Sequence, residues 1–250
     1  MTRFHIAALA AALCGTAALM AGSVAALIVV VVGLLILIGL GVVFPRMRFF
    51  GPYVCRGSKT MKQVALTFDD GPDARSTPAL LDMLREARVE AAFFCVGQRV
   101  AAECDLAARI VREGHLLGNH SCAHSHAFNL FSVARLREDL ARTQSIIQEA
   151  AGVAPRYFRP PIGLSNPRVF RVARELGLTV VGWTVRSLDT RLAEPERIVR
   201  RIVRRLEPGA IILLHDGHIP PARLTATVKS LLDALRALGY EVVRLDRLLT

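Results

Sequence analysis

An uninterrupted apolar stretch near the start of the chain limits the structures that the first 45 residues can form. From Ile6 to Phe44 the sequence contains no Asp, Glu, Lys or Arg. A membrane helix needs about 20 apolar residues, and the run from Val24 to Phe44, rich in Val, Leu and Ile, supplies one complete span. The earlier run, from Ile6 to Met20, is Ala-rich and barely long enough to span a membrane. The sequence therefore predicts either one span with an apolar preface or a helical hairpin.

The charges beside this stretch predict its orientation. A cleaved signal peptide ending near Ala21 is an alternative, but a stop-transfer helix would then follow at once. Positively charged flanks of membrane helices stay in the cytoplasm. Such a flank follows Phe44 and contains Arg46, Arg48, Arg56, Lys59 and Lys62, whereas Arg3 alone precedes the apolar runs. We therefore expect a protein of the bacterial inner (cell) membrane, with residues 46–250 on the cytoplasmic side.

Composition limits the remaining possibilities. The 250 residues are 52% hydrophobic and carry a net charge of +11, which excludes disordered, collagen-like and disulfide-scaffold proteins. Five cysteines, an odd number without a CxxC pair, also argue against a disulfide framework. The positive charge indicates an anionic lipid or polymer as neighbour, and a membrane partner is expected. Aromatic residues make up only 6% and no nucleic-acid motif is present, so no nucleic acid is expected.

From residue 63 onward, short apolar runs alternate with amphipathic stretches. This alternation predicts an α/β domain with a parallel sheet, open or closed into a barrel. Thr77 and Asn166, each followed by Pro, are predicted helix N-caps. The predicted strands are Val64–Phe68, Ala91–Val96, Leu116–Leu117, Tyr157–Phe158, Thr179–Trp183, Ala210–Leu214 and Glu241–Arg244. The predicted helices are Pro78–Arg88, Cys104–Glu113, Val133–Ala151, Pro167–Leu176, Pro195–Leu206 and Pro221–Leu238.

Chemistry-bearing residues follow several of these strands. Asp69 and Asp70 end the first strand, where adjacent carboxylates point in different directions, so that one can bind a metal while the other handles a proton. Taken alone, Asp-Gly-Pro is an ordinary turn. His120 and His124 are spaced for one metal, which Asp70 could complete. His126 and Cys122 are spare candidates, and a His pair alone can equally be surface decoration.

Two further motifs each close a strand. They are residues 159–163, Arg-Pro-Pro-Ile-Gly, and residues 213–217, Leu-Leu-His-Asp-Gly. Each motif could also be purely structural: the arginine could form a surface ion pair, and the histidine could be a hydrogen-bonded residue of the core. Their coincidence favours a site, because active sites of α/β barrels lie at the carboxyl ends of the strands. The residues that follow strands in this way are Asp69, Asp70, His120, Arg159, Asp189 and His215.

The motifs resemble a known family. Thr-Phe-Asp-Asp-Gly-Pro, His-Ser-x-x-His, Arg-Pro-Pro-x-Gly and Leu-Leu-His-Asp occur in this order between Val64 and Leu249. Together they are similar to the polysaccharide deacetylase family, the NodB-homology domain of carbohydrate esterase family 4. The resemblance implies a deformed (β/α) barrel of about seven parallel strands with a divalent metal, usually zinc, at its mouth. Together, the apolar stretch, its basic flank and the extent of the motifs predict a membrane anchor at 1–45 with one or two transmembrane helices, a basic juxtamembrane linker at 46–62 and the catalytic domain at 63–250.

The resemblance also implies roles for the metal ligands and the base. Asp70, His120 and His124 would bind the metal. Asp69 would be the general base that activates the attacking water, and Arg159 would hold its carboxylate.

Further roles implied by the resemblance concern the leaving group and the acyl group. His215 would protonate the departing amine, and Asp189 would orient its imidazole. A backbone N–H near Ile162 would stabilise the oxyanion, and Leu213 and Leu214 would form the pocket for the acetyl methyl.

The chain departs from the family pattern where the sugar would lie. The fourth motif usually reads Asp-x-x-Asp-Trp, but here Arg186 replaces the first acid and Thr190 replaces the Trp. Ile162 stands where an aromatic residue is common. Arg186 could favour an anionic substrate.

The expected function is a metal-dependent hydrolase that deacetylates an N-acetylated amino sugar in a polysaccharide, peptidoglycan or a lipid-linked glycan. The alternatives are a non-carbohydrate amidase on the same metal site and a catalytically silent sugar-binding module.

Overall fold

The computed structural model describes residues 2–250, and it begins with a pair of antiparallel helices. Helix α1 is Arg3–Met20 and helix α2 is Val24–Val43. The Thr2 side chain accepts a hydrogen bond from the His5 N–H, and Ser23 caps α2 in the same way, which satisfies donors that a helix start leaves free. Both helices are long and apolar enough to cross a membrane, and few of their side chains are buried. The two helices pack against each other as a helical hairpin.

The rest of the chain alternates strands and helices as predicted. The strands are β1 (Gln63–Asp69), β2 (Ala92–Cys95), β3 (Leu116–Asn119), β4 (Tyr157–Phe158), β5 (Thr179–Val180), β6 (Val185–Arg186), β7 (Ala210–His215) and β8 (Glu241–Val242). The helices are α3 (Thr77–Ala87), α4 (Gly97–Ala102), α5 (Cys104–Arg112), α6 (Val133–Ala151), α7 (Pro167–Glu175), α8 (Pro195–Val203), α9 (Pro221–Ala237) and α10 (Leu245–Leu248). Three 3-10 helices lie at Pro45–Met47, Phe128–Leu130 and Pro161–Gly163.

All strand pairings are parallel, and seven strands form one curled path in the order β5-β4-β3-β2-β1-β7-β6, with β8 paired to β1. This arrangement confirms the deformed barrel of about seven parallel strands. Because the strands are parallel, all of their carboxyl ends lie at one rim, where the predicted site residues are collected.

Strand alternation divides the core into two layers. Phe68 and Leu214 point outward and pack among the helices, in the largest cluster of buried side chains. Ala65 and Ile211 point inward and pack with Phe94 in a smaller cluster inside the curl. Because successive side chains of a strand point to opposite faces, the inward set of β1 also includes Thr67 and Asp69.

Residues 49–57, which we call the strap, connect the hairpin to the sheet. Their N–H and C=O groups bond to both open edges: Val54 N–H donates to the Val180 carbonyl at 2.9 Å, and Gly57 N–H donates to the Gly209 carbonyl at 2.9 Å. Tyr53 is 2% exposed, and its ring packs edge-on against Phe170 of α7. The strap therefore lies across the gap between the sheet edges, within the part of the chain predicted as a linker.

Some local predictions are wrong for identifiable reasons. The strand predicted at Thr179–Trp183 ends at Val180, because the chain then turns to pair with the strap at Val181. Thr77 does not cap α3: it is the first helical residue, and its hydroxyl donates to Asp216 instead. Asn166 caps α7 as predicted, accepting from two N–H groups.

The arginine-rich helix α8 has two distinct faces. Ile198 and Ile202 are fully buried, whereas Arg197 and Arg200 are exposed on the opposite side.

Candidate active site

A carboxylate and two imidazoles converge at the rim of the sheet. The Asp70 Oδ1 atom lies 3.4 Å from Nε2 of His120 and 3.4 Å from Nε2 of His124. The three ligand atoms all lie within 4.8 Å of one another. Asp70 follows β1 and His120 follows β3, so the parallel sheet brings together residues that are fifty positions apart in sequence. We call these three residues the triad.

The hydrogen bonds of the triad fit a divalent cation. Nδ1 of His120 lies 2.7 Å from the Arg159 carbonyl oxygen, which can only accept, so Nδ1 carries the proton and the Nε2 lone pair is free. Asp70 Oδ1 is buried without a hydrogen-bond partner among the described residues. A buried oxygen in that state is costly unless something pairs with it. A metal would satisfy this oxygen and both imidazole nitrogens, so the residues present fit the group.

The pKa shifts of Asp70 and His124 agree with this assignment. Burial raises the pKa of the Asp70 carboxyl, but the neighbouring imidazoles outweigh burial and hold it well below its usual range. Burial and the nearby His120 lower the pKa of His124. A carboxylate beside unprotonated imidazole is the form that binds metal.

Asp69 is held by a buried arginine. Arg159 is fully buried, and its Nη1 donates to Asp69 Oδ1 at 2.6 Å and to the Thr67 hydroxyl at 2.9 Å. Its Nη2 donates to the Gly182 carbonyl at 2.8 Å. The other Asp69 oxygen, Oδ2, lies 3.8 Å from His120 Nε2. Arg159 therefore fixes one Asp69 oxygen and leaves the other beside the triad.

His215 and Asp189 form a second pair. Nδ1 of His215 lies 2.8 Å from Asp189 Oδ1, and the His215 N–H donates to Asp189 Oδ2 at 2.8 Å. Burial lowers the pKa of the imidazole, but the hydrogen bond and charge of Asp189 outweigh it and raise the pKa to about 9. The imidazole is therefore protonated at neutral pH.

A cavity of about 180 Å³ joins these groups. Its walls include the triad, Asp69 and His215, and also Ile162, Gly163, Trp183, Arg186, Thr190 and Leu213. We call it the catalytic cavity. It brings together all the predicted site residues except three, since Arg159 and Asp189 lie behind Asp69 and His215, and Leu214 faces elsewhere.

The prediction for Leu214 needs correction. Leu213 lies at the cavity wall, but Leu214 is fully buried in the outer cluster beneath the helices. Alternation along β7 forces this, because Leu213 and His215 share one face and Leu214 has the other.

Sequence reasoning missed Trp183. Its half-buried ring lies at the cavity wall, directly against Gly163, where a Cβ atom would collide with it. The ring also lies 5.8 Å from the Arg186 guanidinium carbon, within cation–π range. The signal was available: it is the only tryptophan of the chain, just after β5 at the same rim. The cavity thus keeps a large aromatic surface although Thr190 stands where the family usually has Trp.

The rim is locally strained. Six residues other than glycine have left-handed backbone there, namely Asp70, Ser121, His124, Ile162, Leu188 and His218, with φ between 48° and 73°. Such conformations cost about 1–3 kcal/mol each and collect at functional sites.

Comparison with known proteins identifies the family of the chain. The family model described as polysaccharide deacetylase matches residues 56–181. The chain is 37% identical over 190 residues to the peptidoglycan-N-acetylglucosamine deacetylase of Bacillus cereus, covering 75% of this chain and 88% of that protein. It is 35% identical over 187 residues to the chitooligosaccharide deacetylase of a Bradyrhizobium strain, covering 74% and 85%.

A solved structure also resembles the chain. The crystal structure of wild-type BA3943, a CE4 family pseudoenzyme from Bacillus anthracis, superposes with a TM-score of 0.74 at 29% identity, covering 80% of this chain and 69% of that one. Fold, motifs and identity agree, and the chain belongs to the polysaccharide deacetylase family, carbohydrate esterase family 4.

Proposed function

We propose that this chain is a metal-dependent hydrolase that removes the acetyl group from an N-acetylated amino sugar. The observation that carries the proposal is the convergence of the triad, the Asp69–Arg159 pair and the His215–Asp189 pair on one cavity. Because the same fold occurs in a pseudoenzyme, the fold alone does not imply catalysis. The complete set of reactive side chains supports it.

The triad would hold the metal, and zinc is the ion we propose, since two imidazoles and one carboxylate are a frequent zinc ligand set. The chemistry that a divalent cation supplies at such a site is polarisation of the amide carbonyl and acidification of water.

Amide hydrolysis also needs a base and an acid, and the chain offers one of each. Asp69 takes the proton of the attacking water through the oxygen that Arg159 leaves open. His215, protonated at neutral pH, gives a proton to the departing amine, which is a poor leaving group without it. Asp189 keeps His215 oriented and charged.

The cavity walls fit an acetyl group. Leu213 contributes the apolar surface for the methyl. The backbone N–H of Ile162, in the 3-10 turn at Pro161–Gly163, is the proposed donor to the oxyanion, a contribution of about 3 kcal/mol for a well-placed donor.

We propose an N-acylated glycan or a lipid-linked sugar as the substrate. Trp183 gives a sugar ring a broad apolar surface, and Arg186 at the same wall favours an anionic substrate. If Arg186→Asp leaves the preference between anionic and neutral substrates unchanged, that role is wrong.

The hairpin is the proposed membrane anchor, and the inner membrane is the proposed location. Both ends of a hairpin lie on the same side, so Arg3 and the basic flank after Phe44 face one compartment, which the positive-inside rule makes the cytoplasm. A cytoplasmic site favours a lipid-linked sugar over mature wall glycan.

The test is release of acetate and free amine by the full-length, zinc-loaded protein. The panel holds N-acetylglucosamine oligomers, peptidoglycan, a polyprenyl-linked N-acetyl amino sugar, its N-formyl analogue and a small cyclic imide. Asp69→Asn is expected to lower kcat at least 100-fold, because a general base contributes 10²–10⁴-fold. Asp105→Asn, which removes an exposed carboxylate of α5, is the matched control.

The outcomes separate the alternatives. Hydrolysis of the imide alone would favour the non-carbohydrate amidase. Zinc binding with no hydrolysis anywhere on the panel would favour a silent sugar-binding module. Release that persists in the Asp69 variant would exclude the assigned base.

A further inference from the structure

A second cavity adjoins the catalytic cavity. It has a volume of about 470 Å³, and Asp70 and His124 line both cavities. Its other lining residues come from the start of α4 and from the loops after β3 and β7, namely Val96, Gln98, Arg99, Ala123, His126 and His218. Neither the triad nor the two catalytic pairs use Arg99, His126 or His218. We call this second cavity the basic subsite.

Arg99 is fixed in place without a carboxylate partner. Its Nη1 donates to the backbone carbonyl of Asp70 at 2.6 Å, and its Nη2 contacts Nε2 of His218. Neither partner is a carboxylate. An arginine has five N–H donors and keeps its charge at any working pH. Arg99 therefore has its full positive charge and three further N–H groups available to a ligand.

The remaining polar groups of the wall add donors. Because a guanidinium can only donate, Nε2 of His218 accepts, and the proton of this imidazole lies on Nδ1. The ring of His126 lies 6.3 Å from that of His124, nearly perpendicular to it. Among the described residues that line the basic subsite, Asp70 is the one acidic side chain, and its carboxylate belongs to the triad.

We propose that the basic subsite binds an anionic group, a phosphate or a carboxylate, that the substrate carries within one sugar unit of its N-acetyl group. The proposal rests on the deacetylase function proposed above. Since two triad residues form the common wall, an amide at the triad places neighbouring substituents of the sugar at the basic subsite. A planar guanidinium matches both anions in charge and geometry.

Two kinds of substrate carry this chemistry. In one, a phosphate is attached to the carbon next to the acetamido carbon, as in a lipid-linked sugar. In the other, a carboxylate belongs to the adjacent sugar of a glycan. The basic subsite is separate from Arg186, which lines the catalytic cavity, so their effects on substrate choice are independently testable.

The test compares matched substrates with the full-length, zinc-loaded protein. One pair is N-acetylglucosamine 1-phosphate and its methyl glycoside. The other is N-acetylglucosaminyl-N-acetylmuramic acid and the neutral disaccharide N,N′-diacetylchitobiose. We expect kcat/KM to be at least tenfold higher for one of the anionic substrates, mainly through a lower KM. The pair in which this occurs identifies the anion.

Three variants test the residues. Arg99→Gln is expected to reduce the anionic-to-neutral ratio of kcat/KM about tenfold, since one charge-assisted contact is lost. His126→Glu places a carboxylate at the exposed edge and should reduce the same ratio. Arg200→Gln, which removes a charge from the exposed face of α8, should leave it unchanged. Bound zinc is measured in every variant, because Arg99 also contacts the backbone of a triad residue.

The ratio separates this inference from the function on which it rests. Equal ratios in the wild type and Arg99→Gln, with hydrolysis of both substrates, would overturn the basic subsite and leave the deacetylase intact. If neither substrate is hydrolysed, the deacetylase proposal fails for these sugars, and calorimetric titration with inorganic phosphate decides the subsite. Tenfold weaker phosphate binding by Arg99→Gln at equal zinc content would support it, and equal binding would reject it.

Discussion

At neutral pH, His215 has its proton mainly because of Asp189. Burial lowers the pKa of this imidazole, but the hydrogen bond and charge of Asp189, together with the charges of Asp69 and Asp70, raise it to about 9. An acid catalyst with a raised pKa is active below that pKa and is lost as the pH rises through it. We therefore predict that Asp189→Asn moves the alkaline limb of the kcat/KM profile to lower pH by at least one unit. An alkaline limb that stays in place would show that His215 is not the acid.

Asp216 is a buried carboxyl that the reaction does not use. It is fully buried, its Oδ2 accepts from the Thr77 hydroxyl at 2.7 Å, and its Oδ1 has no partner among the described residues. Burial raises its pKa to about 7. The protonated form is therefore favoured in the folded state, and the stability from this group is lost as the pH rises through about 7.

Replacing Asp216 should flatten the pH dependence of stability. Each unit of raised pKa corresponds to about 1.4 kcal/mol, and Asn cannot titrate. We predict that the melting temperature of metal-free wild type falls between pH 5 and pH 8 and that this fall is smaller in Asp216→Asn. Asp105→Asn, at an exposed position, should behave like the wild type. Identical pH profiles for Asp216→Asn and wild type would contradict a raised pKa.

Individual residues show which parts of the site could be predicted from the sequence alone. The convergence of the triad, the Asp69–Arg159 pair and the His215–Asp189 pair was predictable, because these residues lie at or shortly after the carboxyl ends of strands and parallel strands end at one rim. The role of Thr77 was not predictable, because its hydroxyl donates to Asp216, which is distant in sequence, instead of capping its own helix. Leu214 was wrongly placed in the acetyl pocket, because strand alternation turns its side chain away from the face that Leu213 shares with the cavity. Arg99 belongs to no motif, and only the folded chain places it beside Asp70.

At the scale of elements, the strap is the feature with the clearest effect on stability. Tyr53 and Cys55 are buried, and the backbone on either side bonds to both sheet edges. Burial of one large side chain contributes about 1.5–3 kcal/mol, and exposed strand edges are prone to association.

We predict that a fragment starting at residue 58 is less stable than one starting at residue 46. Loss of several kcal/mol corresponds to a fall of roughly 10 °C in melting temperature for a domain of this size. Thermal melting by circular dichroism would measure it. A Tyr53→Ala variant of the longer fragment should lie between the two. Equal melting temperatures for both fragments would mean that the strap contributes nothing to the domain.

The strap also explains which elements were hard to predict. Long amphipathic helices such as α6 were predicted with correct ends, because a strong 3.6-residue period does not depend on tertiary contacts. β5 ends where Val181 pairs with the strap. β6 was missed because its two residues, Val185 and Arg186, are too few to show a period of two.

For the whole molecule, the proposed membrane hairpin predicts where residue 2 and the catalytic domain lie. If both helices span the bilayer, these two parts are on the same side of it. The basic flanks predict that this side is the cytoplasm. A reporter fused after Thr250 should therefore give a cytoplasmic signal, and replacing Arg46 and Arg48 by Glu should weaken that bias. A periplasmic signal from the unaltered chain would overturn the orientation and favour wall glycan as the substrate.

Contact between the strap and the catalytic cavity has a consequence for working distance. The Tyr53 hydroxyl donates to the Gly163 carbonyl at 3.2 Å, so the polypeptide leaving the hairpin supports the cavity wall. A free tether over residues 46–62 would let the domain wander roughly 20 Å from its anchor. With the strap packed into the sheet, that freedom is lost, so in the proposed membrane-anchored arrangement the mouth of the barrel would stay at one height above the lipid. Such an enzyme would act only on sugars that are held at that distance from the membrane surface.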